Sequence, residues 1–150
     1  MKVLVFSIGA ERYGLALGAI ARVLPAAQLR QLPLAPAFVA GLMDLHGAPV
    51  PVIDLSRLAG FTPKQVWFDT RIVLVDYMHD DGVRPLGLMA EHVLGIETID
   101  GAALADSGVA AAPFLGRVAA TGAGMLQLVE LDQLLPPAVR ALLFQTAAAP

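Results

Sequence analysis

The chain has no cysteine, which excludes disulfides and thiolate metal sites outright. Charge is also scarce. Charged residues make up 15% of the 150 residues, and the net charge is −3 with a pI near 5.5. The basic stripe of a nucleic-acid binder is missing. Long hydrophobic runs are missing too, although the hydrophobic share reaches 57%. The longest uncharged stretches, Gln31–Met43 and Val118–Val129, fall short of the ~18 residues a spanning helix needs, and prolines or glycines interrupt them. Direct membrane insertion is therefore not expected. The opening MKVLVFSIGAERYG resembles a signal peptide only superficially. Its apolar run is short, Glu11 follows, and no small-residue cleavage site is evident, so the expected location is the cytoplasm.

What is present suits one domain, or two small lobes sharing a core, large enough to bury roughly 68–70% of its unfolded surface. The high apolar content fits a well-filled core, a partly apolar surface that awaits partners, or both. Val3–Ile8, ending at Gly9, reads as a strand, with Glu11–Leu17 as its hairpin partner. Gly18–Leu24 has room for one helical turn before Pro25. Between Leu32 and Leu55, prolines 33, 36, 49 and 51 rule out a helix interior and predict an extended, turn-rich connector ending in one strand, Val50–Leu55.

Arg71–Tyr77 is the clearest strand, and its near-continuous apolar run predicts burial on both faces. His79-Asp80-Asp81-Gly82 reads as a turn, Pro85–Ala90 as the antiparallel return, and Val93–Ile99 as a further strand with a bulge at Gly95. Ala102–Ala112 reads as a loop. Leu115–Ala120 and Met125–Val129 read as a hairpin. Leu131–Leu135 starts a helix, Pro137–Phe144 forms another, and the residues from 145 to 150 are expected to be a flexible tail after a domain of residues 1–144. Many short strands at this spacing predict β-barrels, not a parallel sheet.

The usual catalytic constellations are absent. His46, His79 and His92 have no metal-ligand spacing. His79 is expected in a solvated turn and His92 on the surface. Ser7, Ser56 and Ser107 lie outside any nucleophile elbow. Gly122 and Gly124 supply half a dinucleotide fingerprint, with a strand where a helix is required. Asp76, Asp80 and Asp81 read as a solvated hairpin tip. Asp54 reads as a partly buried acid capping a turn. Nothing assembles a nucleophile, a base and an oxyanion hole, so no catalytic residue, metal or cofactor is expected, and the chemistry is binding.

Several segments together resemble the CheW-like family of chemotaxis coupling proteins. VLVFSIGAERYGLAL resembles its opening hairpin, with Glu11, Tyr13 and Gly14 in an E-x-Y-G pattern. Ile20-Ala21-Arg22-Val23 stands in the place of V-x-E-V. Leu32-Pro33, Pro36 and Gly41 lead to Asp44-Leu45-His46-Gly47, in the place of N-L-R-G. Pro51–Leu55 resembles P-V-I-D-L, and Gly87–Val93 matches G-L-x-V-D-x-V with Glu91 where Asp is usual. Leu128–Leu131 and Leu134-Leu135 resemble the closing strand and the start of the last helix. Each motif is short, but their order and spacing run from about Val3 to Leu135.

The resemblance implies a mainly β fold of two small five-stranded SH3-like barrels around a shared apolar core, with short helices including a C-terminal one. It also implies an adaptor that bridges the cytoplasmic tip of a chemoreceptor (a methyl-accepting chemotaxis protein) to the regulatory domain of a CheA-type histidine kinase, recruited to membrane receptor arrays. The receptor helix would lie in an apolar groove between the barrels. On this reading Ile20, Val23, Leu42, Leu45, Val50 and Val52 supply the groove, and Gly41 and Gly47 permit the close turns. Arg22 and His46 are exposed recognition residues.

Two departures stand out: Arg22 replaces the glutamate of V-x-E-V, and His46 replaces the arginine of N-L-R-G. Such changes leave a fold intact while altering partner choice, which predicts a dedicated, divergent pathway. A scaffold for a methyltransferase or response regulator is the nearest alternative. A small metal-dependent enzyme using Asp54 and His46 is a remote one, since ligand spacing is missing.

Overall fold

The computed structural model describes residues 1–63, 65–79, 82–106 and 114–144. Eleven strands and two short helices follow in order: β1 Lys2–Ile8, β2 Glu11–Ala16, β3 Ile20–Pro25, β4 Val39–Leu45, β5 Ala48–Asp54, α1 Leu55–Leu58, β6 Arg71–His79, β7 Gly82–Ala90, β8 His92–Thr98, β9 Leu104–Asp106, β10 Leu115–Thr121, β11 Gly124–Val129 and α2 Pro137–Leu143. They make two sheets. One has six strands in the order β8-β1-β2-β11-β10-β9, and the other has five in the order β3-β6-β7-β5-β4.

Alternation along the strands explains why their sequences are apolar on both faces. In β1, Val3 and Val5 enter a small core inside the six-stranded sheet, while Leu4, Phe6 and Ile8 enter a larger core shared by both sheets. In β6, Ile72 and Leu74 fill the five-stranded sheet's own core, while Val73, Val75 and Tyr77 face the shared one. Each sheet thus curls around its own apolar centre and backs onto a common centre, so strands such as β1 and β6 are buried on both faces.

The architecture is mainly β with two sheet subdomains. It differs in detail from two five-stranded barrels, because β9 gives one sheet a sixth strand and neither hydrogen-bonded order closes on itself. The five-stranded sheet nearly closes. Arg30, beyond β3, exchanges two backbone hydrogen bonds with Leu42 of β4, at 2.8 and 2.9 Å.

Other elements depart from the sequence reading for local reasons. The turn expected over Gly18–Leu24 is a 3-10 turn at Leu17–Ala19, after which Ile20 already pairs with Val75 in a strand. The proline-rich connector contains a second strand, β4, because Pro49 and Pro51 of β5 pair with Asp44 and Leu42 where β5 has no partner on its other side. The parallel ladder to β7 begins only at Val52. Leu104–Asp106 is a strand inside the expected loop, whose remainder from 107 lies outside the described residues. Leu131–Gln133 is a 3-10 turn. Asp80, Asp81 and the residues from 145 to 150 also lie outside the described residues, while His79 pairs with Gly82 across the hairpin. The bulge falls as expected, with Val5 opposite Gly95 and Phe6 opposite Val93.

Candidate functional site: the surfaces around the five-stranded sheet

The expected partner-binding residues separate into three places. On β3, Ile20 and Val23 pair with Val75 and Val73, whose side chains enter the shared core. They therefore occupy the face turned toward the other sheet, with Ile20 half-buried and Val23 41% exposed. Arg22 pairs with Leu74, beyond a bulge at Ala21, and lies on the opposite face, exposed. On β4 and β5, Val50 and Val52 have no exposed surface and Leu45 packs against the same inner core. Val50 and Val52 shape the hairpin from within and have no surface to offer a partner, contrary to the expected groove position. Leu42 turns outward, half-buried, where it borders a 350 Å³ cleft with Leu32, Pro51 and the end of α2.

The third place is the hairpin tip. Leu45 pairs with Ala48, so His46 and Gly47 form a two-residue turn, and both have positive φ, +51° and +87°. That is the left-handed pair that matches strand twist in a tight hairpin. The Asp44 carboxylate accepts a hydrogen bond from the Gly47 amide at 2.7 Å and locks the turn. His46 is displayed at the tip, exposed. Neither Arg22 nor His46 has a hydrogen-bond or ion-pair partner among the described residues. Arg22 sits on the edge strand β3 and His46 on the turn that follows the other edge strand, β4, with β6, β7 and β5 between those strands in the ladder.

A groove between the two sheets is built mostly from residues the sequence reading did not select. It encloses about 290 Å³. Leu15 and Ala16 of β2, Ala19, Val129 and Leu131 bring apolar surface, and Met78 of β6, 62% exposed, stands beside them. Asp76 and Asp132 add carboxylates. Tyr77 also lines the groove. Burial raises its pKa, opposed by the charge and hydrogen bonding of the nearby Arg140. Ile20 follows directly after Ala19, so β3 leaves this groove along its exposed side. One side of the groove joins residues 15–16 and 129–132 from opposite ends of the chain, and the other comes from residues 76–78 of β6. No local sequence signal unites Leu15 with Leu131.

A polar cluster lies near α1. Asp54 is buried and caps α1, its Oδ1 accepting from the Ser56 amide at 3.0 Å and the Arg57 amide at 3.2 Å. Burial raises its carboxyl above the ordinary value, and the two amide hydrogen bonds oppose that rise. Glu91 accepts from the Trp67 indole at 2.8 Å and from Ser56 Oγ at 3.4 Å. These carboxylates are thus committed to holding the α1–β6 connector. His92, expected on the surface, is half-buried against Trp67 and bonds Asp69 at 2.7 Å, which lowers the Asp69 pKa. His79 is likewise half-buried, its ring 5.3 Å from that of Phe144. No group of three His, Cys, Asp or Glu suited to a metal occurs among the described residues, and no helix there is long and apolar enough to cross a membrane.

Two curled sheets around a shared core, with a groove between them, suit a protein that binds other proteins. A family model described as the CheW-like domain matches residues 2–138. The chain belongs to the CheW-like family. It is 26% identical over 136 residues to the chemotaxis protein CheW of Klebsiella aerogenes, covering 88% of this chain and 80% of that protein. The crystal structure of the scaffolding protein TtCheW from Thermoanaerobacter tengcongensis superposes with a TM-score of 0.81 at 26% identity, covering 92% of this chain and 94% of that one. In CheW-like terms, β3 carries the V-x-E-V segment and the β4–β5 tip carries the N-L-R-G segment.

Proposed function

We propose that this chain is a non-catalytic adaptor in chemosensory signalling, coupling the cytoplasmic tip of a chemoreceptor to the regulatory domain of a CheA-type histidine kinase. Membership of the CheW-like family supports a scaffolding role in chemotaxis. The observation that carries the coupling is the inter-sheet groove, whose apolar walls and exposed Met78 suit helix-in-groove recognition. The exposed side of β3 and the β4–β5 tip remain for a second partner, with Arg22 and His46 as the residues displayed. The adaptor works in the cytoplasm and joins membrane arrays through its receptor.

The unpartnered Arg22 and His46 support a dedicated pathway. Their charges differ from the family pattern while the strands that bear them are intact, so the change falls on recognition and spares folding.

Titration calorimetry with receptor-tip fragments and kinase regulatory domains tests both points. Cognate partners should bind with a Kd on the order of micromolar, about −8 kcal/mol. The double variant Arg22→Glu, His46→Arg should shift preference toward a standard kinase domain. Absence of binding to any receptor tip or kinase domain would remove the adaptor reading, and unchanged preference would remove the dedicated pathway alone.

A further inference from the structure

We infer that the groove between the two sheets selects an amphipathic helix whose apolar stripe is flanked by lysine and arginine. The inference rests on the adaptor reading of that groove and specifies the chemistry of its occupant. The groove's lining includes Asp76, Glu130 and Asp132 and no lysine, arginine or histidine. None of the three carboxylates makes a hydrogen bond or ion pair among the described residues. Several acids elsewhere are engaged: Glu97 with Arg12, Asp69 with His92, and Asp54 with its helix cap. In this groove three unpaired carboxylates gather beside an apolar floor.

Asp76 is exposed on β6 and Asp132 is exposed on the turn after β11, so the two acids approach from different sheets. Glu130 is half-buried and lies across Gly116. Arg140 lines the adjoining cavity with Asp132, and its charge also reaches Tyr77 of the groove lining. A helix laid over Leu15, Ala16, Ala19 and Leu131 would bring its flanking positions to the carboxylates. Cations there gain attraction and speed encounter, whereas acids meet like charge and are rejected.

The test uses the full chain and two designed helical peptides with the same leucine stripe, one flanked by lysine and one by glutamate. The lysine peptide should bind about ten-fold more tightly at low salt, with the preference shrinking as salt rises. The triple variant Asp76→Asn, Glu130→Gln, Asp132→Asn should abolish that preference, each change contributing about two-fold. Glu11→Gln, a carboxylate outside the groove, should leave it unchanged. Thermal unfolding checks that each variant is folded, and Asp76→Lys alone, on an exposed strand position, gives a second route to the same loss of preference. Equal affinities for the two peptides, binding of neither, or a preference that survives the triple variant would overturn the inference. Receptor-tip binding that persists through those outcomes would leave the adaptor reading standing without it.

Discussion

Gly41 adopts φ +145°, and a Cβ placed there would collide with the carbonyl oxygen of Arg30, the residue that bridges to Leu42 and nearly closes the five-stranded sheet. Gly41→Ala should therefore cost about 2–4 kcal/mol in urea unfolding, combining left-handed strain with loss of the bridge. Gly18→Ala meets open space at an ordinary φ and should stay within about 0.5 kcal/mol of the parent. Equal effects at the two positions would refute the close-approach argument. Asp54 offers a pH-dependent prediction. Burial raises its folded pKa above the ordinary 3.8, so the folded state holds this proton more tightly than the unfolded chain. Its contribution to stability is full below about 3.8 and declines as pH rises through the folded value. Asp69 runs the other way, since its lowered pKa adds stability that is lost on acidification. Asn at position 54 keeps the cap without the buried charge. Asp54→Asn should thus abolish the decline just above pH 3.8, read as urea stability against pH, and leave neutral-pH stability equal or higher.

At the scale of elements, the connector between α1 and β6 is fixed by Thr70. Its buried hydroxyl accepts from the Trp67 amide at 2.8 Å and donates to the Glu91 carbonyl at 2.8 Å. Thr70→Val keeps the shape and strands both groups, so it should cost about 1–3 kcal/mol and shift the emission of Trp67, the single tryptophan. Thr70→Ser should recover most of the loss. An unshifted spectrum with unchanged stability would show that the connector is held by other contacts. Elements with local signals were legible in the sequence: the β1–β2 hairpin from its glycine turn, β6 from its apolar run, and the Asp54 cap from its position after β5. Strand β4 was hidden in a connector that its prolines mark only as extended and turn-rich, and only the pairing pattern reveals that β5 has an unpaired side there. The binding surface was less legible for a related reason. Val50 and Val52 carry the same residue type as Val23, and sequence alone does not say which valine is inside. The groove itself joins β2 to the turn after β11, a relation that only the tertiary fold creates.

The whole molecule is interleaved. The six-stranded sheet takes β1 and β2 from the start of the chain and β8 to β11 from its later part, while the five-stranded sheet is inserted between them. Strand β2 pairs in parallel with β11, which ties the first strands to the last. This is why no linker is visible in the sequence although two sheets form. Residues 17–90 contain every strand of the five-stranded sheet, so that fragment is the natural candidate for an independent lobe. Its own core is small: Met43, Val50, Val52, Ile72 and Leu74. Its other face carries Val73, Val75, Tyr77, Leu86, Leu88 and Ala90, which in the intact protein are covered by β1, β2, β11 and α2. Without that cover the fragment exposes a continuous apolar face to water and loses more burial than five side chains replace. The fragment should therefore show no cooperative urea transition, whereas the full chain should unfold in one step, with Trp67 emission and far-UV circular dichroism changing together. A sigmoidal transition in the isolated fragment, or two separated transitions in the intact chain, would mean that the sheets are autonomous and the shared core is only a contact between them.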